Sequence, residues 1–84
     1  MVIRSQSKTI LVDTTNLVVT LNPKDNSIIA YHTNDLASLD YIILGTYFSE
    51  EKAMQVLDTL CLKIEACRTF FQMPEDEEEK LNEN

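Results

Sequence analysis

In the stretch Leu44-Gly45-Thr46-Tyr47-Phe48-Ser49-Glu50-Glu51-Lys52-Ala53 the hydrophobic pattern changes period. Beyond it, Ala53, Leu57, Leu60, Ile64, Cys67 and Phe71 recur at alternating spacings of four and three, which lines one face of a helix. Ser49 is a good N-cap, and Glu50 and Glu51 complement the positive end of the helix dipole. The spacing predicts a helix from about Glu50 to Phe70 or Phe71, roughly 32 Å long at about 1.5 Å per residue. Pro74 and the acidic run after it are expected to end it.

Before the change of period, short runs of β-branched and aromatic residues alternate with polar punctuation, the mark of strands. Val2 to Asp13 contains Thr9-Ile10-Leu11-Val12, and Asn16 to Leu21 contains Leu17-Val18-Val19-Thr20-Leu21. Asn22-Pro23-Lys24-Asp25-Asn26 then reads as a hairpin loop, because Pro23 presets one dihedral while Asp25 and Asn26 tolerate the left-handed conformation. Ser27 to Tyr31 follows, then polar Thr33-Asn34-Asp35, Leu36 to Asp40, and Tyr41 to Tyr47. Short connections favour an antiparallel meander. The expected fold is α+β: a small antiparallel sheet of about four strands followed by one long C-terminal amphipathic helix. Residues 1–74 form a single domain on this reading, and residues 75–84 a solvated, mostly disordered acidic tail.

Length and composition set bounds. The chain has 84 residues, of which 44% are apolar and 25% charged, enough for one small domain and too short for two. Its net charge is −7, but the six acids of residues 75–84, offset only by Lys80, carry most of it, so the body is close to neutral. Its few, scattered cations make no patch for duplex nucleic acid. No run of about 18 apolar residues and no leader pattern is present, which points away from membrane and export and toward the cytoplasm. The single glycine excludes a Gly-rich phosphate loop. Two cysteines supply no disulfide framework.

A surplus of apolar surface remains. Met54, Val56, Cys61, Leu62 and Phe70 widen the helix stripe, and Leu17-Val18-Val19 and Tyr41-Ile42-Ile43-Leu44 are apolar on both faces of their strands. Burying each further Leu or Ile contributes roughly 1.5–3 kcal/mol, a large share of the stability of so short a chain. A homodimer or larger homo-oligomer is expected.

Catalytic groupings are thin. His32, at the polar end of a strand, has no Ser, Cys or acid tied to it by spacing, and Glu50-Glu51 form no enclosed acid pair. Cys61 and Cys67 lie about 120° apart on the expected helix, which suits small buried apolar residues better than a metal site. No enzyme, cofactor or metal is expected. Two groups suit binding. Arg4, Ser5, Gln6 and Lys8 form a compact cationic segment able to recognise phosphate or carboxylate oxygens; the competing reading is an ordinary charged strand end. Arg68, Phe70, Phe71 and Gln72 set aromatic faces beside a cation and an amide, able to stack a base; the competing reading is core packing, which suits Phe71 best. Tyr31, Tyr41 and Tyr47 read as core-edge residues with hydroxyls in water, Tyr47 being also a candidate ligand contact.

Three segments together carry a resemblance: Ile3-Arg4-Ser5-Gln6, Leu44 to Ala53, and Phe71-Gln72-Met73-Pro74-Glu75-Asp76. In this order the chain resembles short, largely uncharacterised phage and prophage proteins of Gram-positive bacteria. The resemblance spans nearly the whole length up to the tail and brings no catalytic residue with it. Accessory phage proteins of this size are commonly counter-defence factors, which implies two mechanisms. One is an oligomeric sponge that withholds a nucleotide-derived immune signal, of the cyclic ADP-ribose or cyclic oligonucleotide kind, without cleaving it. Its ligand-binding residues would be Arg4, Ser5, Gln6, Lys8, Tyr47, Arg68, Phe70 and Gln72. The other is an acidic antagonist of a host defence nuclease or regulator. A structural phage accessory is the third reading. Deleting residues 76–84 should do little to a sponge and abolish an antagonist.

Overall fold

The computed structural model describes residues 1–32 and 41–76. Polar punctuation does divide the chain, into more pieces than the meander allows. The elements are β1 (Val2–Arg4), β2 (Leu11–Asp13), β3 (Leu17–Asn22), β4 (Ser27–His32), β5 (Ile42–Thr46), α1 (Glu50–Glu65) and β6 (Phe70–Gln72). The α+β class stands. The single sheet of about four strands is replaced by two three-stranded sheets, ordered β2-β1-β6 and β3-β4-β5.

The difference begins at Ser5. The Lys8 N–H donates to the Ser5 carbonyl at 2.9 Å and the Ser5 N–H to the Ile10 carbonyl at 2.8 Å, while Lys8 takes φ 69°. A turn therefore divides Val2 to Asp13 into two antiparallel strands, with Ile3 opposite Val12. On its other edge β1 pairs parallel with β6, setting Ile3 opposite Phe71. Val12, Ile3 and Phe71 form one buried row across the sheet.

The second sheet is the expected hairpin plus one strand. Asn22 Oδ1 accepts from the Lys24 N–H, Asp25 Oδ1 from the Ser27 N–H and hydroxyl, and Asn26 sits at φ 59°, so the loop residues do act through their side chains and a left-handed position. Leu17, Val19 and Leu21 face the core with Ile28 and Ala30. Between β4 and β5 the register slips, with Ile28 opposite Gly45 but Ile29 opposite Ile43, so Leu44 is the extra residue of a bulge. The expected stretch Leu36 to Asp40, and the tail from residue 77 on, lie outside the described residues.

The helix starts where expected and stops early. Ser49 Oγ accepts from the Lys52 N–H at 3.1 Å. At the other end Ala66 is the C-cap and Cys67 takes φ 59°; the Cys67 N–H donates to the Ile64 carbonyl at 3.0 Å and the Arg68 N–H to the Lys63 carbonyl at 3.1 Å. That is a Schellman end, with cysteine at the left-handed position that glycine usually fills. The expected end at Phe70 or Phe71 is thus corrected to Glu65, and Pro74 plays no part in it. Phe71 is buried as expected, on a strand rather than on the helix. The buried helical positions are Ala53, Val56 and Leu60, with Leu57 half-buried, whereas Ile64, Cys61 and Cys67 are exposed. The cysteines are not the buried apolar residues the helical reading makes of them. No helix among the described residues is long and apolar enough to cross a membrane.

Candidate ligand-binding site

Side chains alternate along β1, so with Ile3 inward, Val2 and Arg4 point to the other face. Register extends that face to both neighbours. Leu11, Arg4 and Gln72 form one row, and Asp13, Val2 and Phe70 the next. Arg4 and the pair Phe70 and Gln72, read from opposite ends of the sequence, therefore share one outward face. Phe70 is 50% exposed and Leu11 65% exposed, leaving aromatic and aliphatic surface beside the guanidinium. Arg4 Nε donates to the Lys8 carbonyl at 3.3 Å, which orients the guanidinium from the turn that also carries the exposed Lys8. Recognition then falls to the Nη groups.

The other named residues are held differently. Ser5 is 1% exposed; its Oγ accepts from the Ile10 N–H at 3.2 Å and lies 3.0 Å from Ser7 Oγ, which is 2.7 Å from Thr9 Oγ1. This hydroxyl chain braces the turn. Gln6 behaves as a surrogate strand residue. Its N–H donates to the Leu44 carbonyl at 2.7 Å, the carbonyl that belongs to the bulged residue. Its side-chain amide then pairs with the backbone of Thr46 in both directions, at 3.1 Å each way, and Nε2 also reaches the Pro74 carbonyl at 3.3 Å. Gln6 thus joins the two sheets.

Tyr47 is 3% exposed and donates its hydroxyl to the Pro74 carbonyl at 2.7 Å, so its hydroxyl is not in water as the sequence reading had it. Burial, with the charge of Asp76 second, pushes the phenol above its ordinary pKa. Gln72 Nε2 donates to the carbonyls of Ser5 and Met73, at 3.0 and 2.9 Å, and so has only Oε1 left to offer a ligand. Arg68 is exposed in the connector between α1 and β6, and its N–H serves the helix end. Of the eight candidate contacts, Arg4, Lys8, Phe70 and the Gln72 Oε1 offer recognition chemistry on or beside one face. Ser5, Gln6 and Tyr47 spend their polar groups inside the fold.

Asp13 lies on the same face, and hydrogen bonds from the Thr15 backbone and then the Thr15 hydroxyl hold its carboxyl below the usual range. Among the described residues no three His, Cys, Asp or Glu side chains cluster to hold a metal. Elsewhere, Leu17, Val19, Leu57, Leu60, Cys61, Ile64 and Thr14 line an open groove of about 410 Å³ between β3 and α1. Among the described residues none of the named contacts lines it, and its polar lining side chains are the Cys61 thiol and Thr14, whose hydroxyl donates to the Met1 carbonyl. The surplus of apolar residues on the helix flank was its signal in the sequence. No protein-family model, curated protein or solved structure matches the chain.

Proposed function

We propose that the chain is a phage-type counter-defence protein acting without catalysis, as a homo-oligomer that binds and withholds a nucleotide-derived anionic signal in the host cytoplasm. The observation that carries this reading is the placement of Arg4, Phe70 and Gln72 on one outward sheet face. A guanidinium suits phosphate oxygens, an exposed aromatic ring suits a base, and an amide oxygen accepts from the base edge or a ribose hydroxyl. Such a face is open on one side, and a second copy is what would enclose a ligand against it. The resemblance to short phage proteins directs the reading to immune signals rather than to nucleotides at large.

Titration calorimetry with ADP-ribose, a cyclic ADP-ribose and a cyclic dinucleotide tests it. Saturable binding to at least one is expected, and Arg4→Ala should weaken it about tenfold or more, the loss typical of a charge-assisted hydrogen bond of about 1.5–3 kcal/mol. Phe70→Ala should weaken it through lost stacking, with little change in melting temperature because the ring is half-exposed. Unchanged affinity in both variants would sink the assignment of this face.

A further inference from the structure

We infer that Asp13 selects the base of the ligand, accepting a hydrogen bond from an exocyclic amine of the adenine kind while Arg4 takes the phosphate; this rests on the binding face just proposed. The strand register carries it. Asp13, Val2 and Phe70 stand opposite one another on β2, β1 and β6, and Arg4 lies in the next row, between Leu11 and Gln72. The carboxylate thus shares its row with the exposed ring rather than with the guanidinium. Neighbouring strands lie about 4.8 Å apart, so Asp13 and Phe70 flank a gap of roughly 10 Å with Val2 as its floor. A base set against the ring reaches the carboxylate across that short apolar residue.

Chemistry narrows what can dock there. Asp13 is exposed, and its Oδ1 accepts from the Thr15 N–H at 3.0 Å and from the Thr15 hydroxyl at 2.9 Å, which leaves Oδ2 for a further donor. An ionised carboxylate only accepts, so it repels phosphate oxygens and carbonyl base edges and attracts N–H groups. The Thr15 bonds keep it ionised by holding its pKa below the usual value. Arg4 works at the opposite end. Its Nε bond to the Lys8 carbonyl, at 3.3 Å, draws the guanidinium toward the turn, the end of β1 away from Asp13. The two charges therefore orient a nucleotide, with phosphate toward the turn and an amine-bearing base toward Asp13. The order of the rows favours the base over a ribose hydroxyl as the donor, because Asp13 faces the stacking ring.

Titration calorimetry on the full chain compares ADP-ribose with the analogue that carries purine in place of adenine and so lacks only the exocyclic amine. The parent should bind ADP-ribose about fivefold or more tightly than the analogue, the difference expected of a hydrogen bond to a charged group. Asp13→Asn keeps a side-chain oxygen for Thr15, and with it the turn, but presents an amide in place of the charge. It should bring the two affinities within about twofold of each other, at an unchanged melting temperature. Arg4→Ala should weaken both ligands and keep their ratio. Equal affinities in the parent overturn the assignment of Asp13 and leave the binding face standing. A ratio that survives Asp13→Asn, as it would if a ribose hydroxyl were the donor, does the same. No binding of either ligand to the parent overturns the face, and this assignment with it.

Discussion

The Tyr47 ring closes over Gly45, where an added Cβ would come within 2.9 Å of the phenol oxygen and 3.2 Å of the ring. Gln6 Cβ lies 3.3 Å from the same point, so the single glycine of the chain is kept small by packing from two sides. The consequence is a hydroxyl placed for the Pro74 carbonyl, and its test is alkaline. Folding favours the neutral phenol, because burial raises its pKa above the ordinary value of about 10. Its contribution is complete below that pH and falls as pH rises beyond it, since the unfolded chain loses the proton first. Tyr47→Phe should cost about 0.5–1.5 kcal/mol in denaturant titrations at neutral pH through the lost hydrogen bond. Between pH 7 and about pH 11 the variant should then lose less stability than the parent. An equal alkaline loss in both would show that the phenol is not protected by the fold.

At the scale of elements, the start of α1 was legible and its end was not. The N-cap is a local device, with Ser49, two following acids and Lys52 within one turn, so the residues involved are neighbours in sequence. The apolar rhythm, by contrast, runs on to Phe71 because an inward Phe71 beside an outward Phe70 satisfies a strand as well as a helix. Nothing in that rhythm marks Cys67, which adopts φ 59° without glycine's freedom. Cys67→Gly should therefore raise stability by about 1 kcal/mol in urea or thermal unfolding. A neutral or destabilising result would mean that the Schellman end is not formed in solution. The strands tell the same story: the 22–26 hairpin was readable from its turn residues, while the split of Val2 to Asp13 depends on Lys8 at φ 69°, a position its residue type does not announce.

For the whole molecule, part of the apolar surplus expected from the sequence stays exposed after folding, Tyr41, Ile43, Met54, Leu62 and Phe70 among it, whereas Val56 and Leu44 of that surplus enter the core and Ile64, expected in the core, is exposed. Leu11, Tyr41, Ile43, Phe48, Leu62, Ile64 and Phe70 are large and exposed, and among the described residues β3 is an edge strand of its sheet, with no charged residue between Leu17 and Leu21. Unguarded edges and apolar patches invite association. The proposed assembly predicts a dimer or larger species in equilibrium sedimentation at micromolar concentration. A lone monomer there would remove the enclosing partner from the functional reading. The two candidate segments could each be named from their residue types, but their union on one face depends on β1 and β6 pairing across most of the chain, as do the bonds from Gln6 and Gln72 to segments 67 or 68 residues away.

What the sequence determined by itself is everything set by neighbours within a few residues: the α+β class, strand-forming runs, the helix start, the hairpin loop and the charge of the tail. Only the tertiary structure decided that there are two sheets, that the segment after the helix returns as a strand beside the first, and which polar side chains are consumed in holding that return. Periodicity reports which face of an element is apolar, but it carries no record of which distant element will cover it.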